Sequence, residues 1–444
     1  MPITVRKKPR ISGTAADLAC VLGATLVVVA ATVVGLALLA AGVDIFLPFP
    51  PLLAEWLPHV GPGTPVAVAV AVLVGTQGSA LADRLPWGRL LAAGYAAAVA
   101  WTVALALVDG WQRGVVERLT SSQEYLHDVP RVTDVSAMLR TFADHILTDQ
   151  PGFWSTHVGA HPPGALLTFV WLDRLGLGGG GPAGLFVMLL GASAPVAVAM
   201  ALRALGAEDV ARRALPFGVL LPGAVWVGVS ADGMFAGVLA WGVALLAVGA
   251  TAHGPRADFA ALAAGALLGW CLYLSYGLVL GGLPALAVLA FTRSLRAGLL
   301  AAAGTLAVVG IFTASGFWWF TGFERVQVIY AASIASTRPY AYFVWANLAA
   351  ALLALGPAVV AGVRRAVAHP RTLPAAAVLL AGAGLAAILL ADVSGMSKAE
   401  VERIWLPFAV WLAIPCALLP RARYWLAAQA GVALAVNHLL LTVW

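Results

Sequence analysis

The chain has 444 residues, of which 61% are apolar and only 10% charged, and its formal net charge is +6. An average soluble domain carries roughly 25% charged residues, so this composition excludes a soluble multidomain enzyme and describes a multi-pass protein of the cell membrane. The basic excess sits in short connectors, as orientation and contact with membrane lipids require, and gives no reason to invoke nucleic acid.

In chain order, Arg6, Lys7, Lys8 and Arg10 come first and place a basic N-terminus, residues 1–16, in the cytoplasm. Nothing there resembles a cleavable signal peptide. Fourteen apolar segments follow: 17–41, 63–80, 89–108, 160–175, 182–202, 214–229, 233–250, two packed between 258 and 291, then 298–315, 340–362, 372–391, 404–419 and 424–441. The segments 160–175 and 404–419 fall short of the roughly 20 residues that cross a hydrocarbon core. Counting from the N-terminus, three spans deliver 109–159 to the outside. Counting from the other end, Arg293, Arg296, Arg364, Arg365, Arg371, Arg421 and Arg423 all ask to be cytoplasmic. The two walks do not meet, because Arg203, Arg212 and Arg213 also ask to be cytoplasmic where simple alternation puts them outside. One segment between 160 and 202, or near 258–291, is therefore miscounted, and the fold class is an all-α polytopic bundle of about 13–14 spans. Cys20, Cys271 and Cys416 lie within apolar spans and argue against a disulfide framework or a metal cluster.

Chemistry is expected in the polar stretch 109–163. Within it, Val135, Met138, Leu139, Phe142 and Ile146 recur at helical spacing and predict a short amphipathic helix over 133–147, lying along the membrane surface. Asp109 ends an otherwise apolar span; it is either an interface anchor or a carboxylate over a cavity, placed to accept a proton from a hydroxyl. Glu124 is a second candidate carboxylate, with Asp128 its nearest rival. His157 and His161 bracket the turn THVGAHPPG, where Gly159 and Pro162–Pro163 disfavour the regular helix that a pair of metal ligands would need. Pro162 suits the first turn of the next span, which sets His161 near the membrane surface.

Further along, Asp232 stands at a break between spans, where a carboxylate is either a helix cap or functional. Ser275, Tyr276 and Gly277 interrupt another apolar run. The aromatic segment 316–343 carries Arg325, Arg338 and Tyr340, which suit an interface belt or a phosphate beside an isoprenoid chain, since arginine offers phosphate a rigid fork. Lys398, Glu402 and Arg403 close the set, with Arg403 either snorkelling or at the depth of a lipid phosphate.

An acidic residue just after an early span, another in the same outward loop, and a His-Pro-Pro opening the next span resemble the GT-C superfamily of polytopic glycosyltransferases, which includes protein O-mannosyltransferases and lipid A aminoarabinose transferases. The matching positions are Asp109, Glu124 and His161-Pro162-Pro163, with Gly164 in place of the usual Leu and Gln123-Glu124 in place of the common Asp-Glu pair. GAHPPG and EVERIWLPF look like segments of actinobacterial integral-membrane members. The resemblance is closest over 89–175 and implies a GT-C-like transmembrane domain over 89–444, with 109–159 as an outward catalytic loop and 17–88 as two additional N-terminal spans.

That resemblance implies an inverting transfer of sugar from a polyprenyl-phosphate donor to a glycan, lipid or protein acceptor on the outer face of the membrane. Asp109 and Glu124 would be catalytic, and His157, His161, Asp232, Tyr276, Arg325, Arg338, Tyr340, Lys398, Glu402 and Arg403 would bind substrate. A divalent cation, Mg or Mn, would assist the donor phosphate if one is used; no ligand set is evident. The rival reading is a transporter or flippase in which the same charges line a path. The large outward loop with HPPG, and the absence of two related halves, favour the transferase.

Overall fold

The computed structural model describes residues 13–443, so the basic cluster at Arg6, Lys7, Lys8 and Arg10 lies outside the described residues. Among these, nine helices are long and apolar enough to cross a membrane, from Thr14–Ala40 to Ala375–Val393. The protein is an all-α, multi-pass membrane protein, and the described strands are two short ones, Ala54–Trp56 and Leu440–Thr442, which pair antiparallel with Glu55 opposite Leu441.

Side-chain contacts sort the helix ends into two levels. At one end, here called the basic end, Arg212 donates to the carbonyls of Ala82 and Leu85, Arg296 donates to those of Gly249 and Ala252, and Arg365 meets both Asp17 and the Leu418 carbonyl. At the other, the cap end, lie the strand pair and the whole of 109–180. Arg174 settles the count that sequence left open: it donates to the carbonyls of Val132 and Thr133, so the chain is still at the cap end there. The expected span 160–175 does not cross. Its helix, Pro163–Leu172, has ten residues, about 15 Å at 1.5 Å per residue, and it ends in a wide turn in which Gly176 takes φ +78°. The next segment, Gly180–Ala204, crosses to the basic end at Arg203, and alternation is restored. Four shorter or broken segments, 208–227, 276–292, 406–418 and 422–439, link the two levels alongside the nine long helices.

The Thr14–Ala40 helix is the least enclosed, with only 11% of its apolar window buried. An ion pair fixes its lower end. Asp17 is fully buried between Arg364 and Arg365, each 2.6 Å away, and Tyr342 donates to the Ala31 carbonyl higher up. The core sits instead around Ala231–Thr251, where 78% of the apolar window is buried. Its first turn carries Asp232 directly beneath the cap.

The amphipathic element forms as Val135–Thr141, capped by the Asp134 carboxylate on the amides of Ser136 and Ala137, and continues as a tight turn to His145. Its apolar face packs onto protein. Met138, Leu139, Phe142 and Ile146 are buried, and Phe142 meets Phe317 edge-on. Gly164 has a local cause: a methyl added there would lie 2.6 Å from the Tyr273 carbonyl, so the helix opening after Pro162 packs closer than a larger residue allows.

Candidate functional site

Two charged centres lie at the cap end. The first is built on Asp109, at the exit of the Trp87–Asp109 span. The chain turns sharply at Gly110, which has φ +79°, and the following turn brings back Arg113 and Arg118. Asp109 Oδ1 lies 2.7 Å from Arg113 and 3.0 Å from Nε2 of His59, and Oδ2 lies 2.9 Å from Arg118. An ionised carboxylate offers about four lone-pair positions; Arg113 and Arg118 donate to one on each oxygen, the His59 ring lies beside Oδ1, and a position on Oδ2 is left. Arg118 also holds the Thr442 carbonyl, which ties this rim to the strand pair. Burial lowers the Arg118 pKa from its ordinary value, against the pull of Asp109.

The second centre is buried. Arg403, 6% exposed, donates to Asp232 at 2.6 Å and to Glu400 at 2.7 Å, and its NH2 faces Nε2 of His157 at 3.2 Å. Nδ1 of His157 in turn lies 2.8 Å from Glu124. A guanidinium can only donate, so Nε2 of His157 accepts and its Nδ1–H points at Glu124, which fixes the tautomer. Burial pushes Glu124 and Glu400 upward, yet the His157 ring hydrogen-bonded beside Glu124 and the Arg403 guanidinium beside Glu400 outweigh it and hold both below the usual carboxylate range. Burial would lower Arg403 too, but Asp232 and Glu400 lift it above its ordinary value. Beside this relay, Nδ1 of His161 meets the His157 carbonyl at 2.7 Å and the Tyr125 hydroxyl at 2.9 Å. Burial drops the His161 pKa to about 4.

The local fold explains the convergence. His157 lies in a five-residue helix, Thr156–Ala160, so the turn is more helical than the glycine and prolines suggested. His157 N donates to the Gln123 carbonyl, and Ser155 N to the fully buried Asp128 carboxylate, which also binds Arg131. Asp128, the rival to Glu124, is therefore the pin of the loop. Asp232 sits in the first turn of a 21-residue helix, where the dipole favours its charge. Glu400 occupies a left-handed position, φ +61°, immediately after Ala399 at φ +72°, and this tight turn aims Glu400 at Arg403 three residues on.

The structure thus gathers Glu124, His157, His161, Asp232 and Arg403, while Asp109 has its own partners. The other candidates are placed elsewhere. Arg338 is buried and donates to the carbonyls of Ile45, Phe46 and Lys398, with Glu400 at 3.9 Å; Lys398 binds the Ala335 carbonyl. Tyr340 donates to the Val393 carbonyl and Arg325 to Asp144. Tyr276 packs between Trp319 and Phe323. Glu402 is 1% exposed, and burial raises its pKa to about 8. Sequence reasoning missed His59, Arg118 and Tyr125 and assigned no role to Glu400; the three-residue spacing of Glu400 and Arg403 was the available signal. Between Asp232, Ser275, Ser397, Ile404, Trp405 and Phe408 lies a narrow cavity of about 40 Å³, near the roughly 30 Å³ share of one water.

Among the described residues, no three His, Cys, Asp or Glu side chains are gathered as a metal cage. Glu124, Asp232 and Glu400 are bound to His157 or Arg403, so this donor set does not fit a protein-held divalent ion.

No protein-family model matches the chain, and no curated protein matches it. Among solved structures it is similar to ArnT from Cupriavidus metallidurans in the apo state, with 17% identity and a TM-score of 0.47 over 72% of this chain. The chain spans 58% of the length of that protein.

Proposed function

We propose that the protein transfers a sugar from a polyprenyl-phosphate donor to an acceptor hydroxyl at the outer face of the cytoplasmic membrane, with inversion at the anomeric carbon. The observation that carries the reading is the buried Glu124–His157–Arg403–Asp232 relay, roofed by a polar cap at one end of an apolar bundle. The early acidic residue and His161-Pro162-Pro163 lie at the same end. A lipid-linked donor reaches such a site from within the membrane.

In this reading Asp109 is the proton acceptor, because its side chain is partly exposed, it keeps a lone pair on Oδ2, and its orientation is fixed by the two arginine donors. The acceptor oxygen loses its proton to Asp109 and forms the new bond to the anomeric carbon. The bond from that carbon to the phosphate oxygen breaks, and its electron pair leaves with the lipid phosphate. Arg403 receives that phosphate by exchanging the Glu400 carboxylate, the more exposed of its two carboxylate partners at 19% against 6% for Asp232. Glu124 acts through His157, keeping its second nitrogen turned toward Arg403. No step uses a metal.

Purified protein in liposomes supplied with a panel of radiolabelled polyprenyl-phosphate sugars tests this. Release of polyprenyl phosphate together with a labelled, inverted product is expected. Movement of intact donor across the bilayer with no cleavage would replace the transferase by the transporter.

A further inference from the structure

A groove lies at the opposite end of the bundle. The Thr64–Arg84 and Ala422–Leu439 helices run antiparallel, joined at the cap end by the Thr64 hydroxyl and Nε2 of His438, 2.9 Å apart. Toward the basic end they part around a groove of about 660 Å³, lined by Gly75, Thr76, Ser79, Arg421, Arg423 and Tyr424, within the roughly 300–1,000 Å³ range of ligand pockets. From the Thr64–His438 contact, residue 422 is level with residue 80, about 6 Å short of the helix end at Arg84 by the rise per residue. Arg423 lies over the Tyr424 ring and donates to its hydroxyl, and among the described residues neither Arg421 nor Arg423 pairs with a carboxylate. The contrast with Arg364 and Arg365, which share the Asp17 carboxylate, is direct. One turn from Thr76 toward the cap end, outside the groove, the same helix exposes the apolar side chains of Val72 and Leu73, at 59% and 56%.

From this placement we infer that the groove binds an anionic glycerophospholipid of the cytoplasmic leaflet, its phosphate on Arg421 and Arg423 and its acyl chains along Val72 and Leu73. The leaflet rests on the orientation proposed above; the site itself does not. Two guanidiniums facing a headgroup predict a preference for anionic over zwitterionic lipid of about tenfold or more.

Native mass spectrometry of the full-length protein in neutral detergent reads this out, with phosphatidylglycerol, phosphatidylcholine of the same chains, and inorganic phosphate as probes. A retained phosphatidylglycerol adduct is expected, weakened about tenfold in the double variant Arg421→Asn/Arg423→Gln, where Asn tolerates the left-handed backbone of position 421. Thr76→Trp fills the groove without changing charge and is expected to weaken the adduct as well, while Arg293→Gln/Arg371→Gln removes two exposed cations elsewhere and leaves it intact. Equal retention of the two lipids, displacement by inorganic phosphate, or equal losses in the groove and control variants would each overturn the proposal.

Discussion

The two charged centres at the cap end are electrostatic opposites. Around Asp109 two arginines and a histidine surround one carboxylate, and Arg113 is 44% exposed. Around Arg403 the carboxylates of Asp232 and Glu400 flank one guanidinium, a third reaches it through His157, and Arg403 is 7% exposed. A rim carboxylate with a vacant lone pair suits a group that exchanges a proton with an arriving substrate. A buried guanidinium among carboxylates suits a keystone, because taking charges out of water is tolerable only when each has its partner.

The largest effect is expected from removing that keystone. Arg403→Gln leaves Asp232 and Glu400 buried without their cation, and breaking such a pair costs about 3–5 kcal/mol. Folded protein recovered by size exclusion should fall sharply, and adding Asp232→Asn should restore part of it. Recovery of the single variant at the parental level would show that the relay does not hold the cap. A pH-dependent effect is expected at Glu402, whose buried Oε2 has no hydrogen-bond partner. Burial pushes its pKa up to about 8 from the ordinary 4.5. The folded state therefore keeps a proton that the unfolded state releases, and stability falls as pH rises from about 4.5 to 8. Glu402→Gln removes that loss, so its unfolding midpoint should exceed the parent's by a margin that widens across this window and then levels off. A constant margin would place the carboxylate elsewhere.

Residue chemistry was more legible in the sequence than residue company. Asp109, Glu124, His157, His161, Asp232 and Arg403 stand out because each is polar at the edge of an apolar run. Their contacts, however, join positions 171 and 246 residues apart, and no local pattern encodes such pairing. Arg338 shows the converse: an arginine beside aromatics looks like a phosphate ligand, yet it satisfies carbonyls of the 41–53 connector, whose path depends on how the Thr14–Ala40 helix docks. The span 160–175 was misjudged because hydropathy reports apolar character without saying whether lipid or protein covers it. Charge bias did flag the error, since Arg203, Arg212 and Arg213 needed one crossing fewer.

The division of labour between rim and relay is tested most directly by measuring transfer rate, donor affinity and unfolding midpoint side by side for Asp109→Asn and Glu124→Gln. Loss of a general base typically costs about 10²–10⁴ in rate. Asp109→Asn should therefore keep the parental midpoint and donor affinity while transfer falls about a hundredfold or more. Glu124→Gln should lower the midpoint and weaken donor binding, with a smaller loss of rate once donor is saturating. Parental transfer by folded Asp109→Asn, or a loss of donor affinity matching that of Glu124→Gln, would contradict the assignment of proton transfer to the rim.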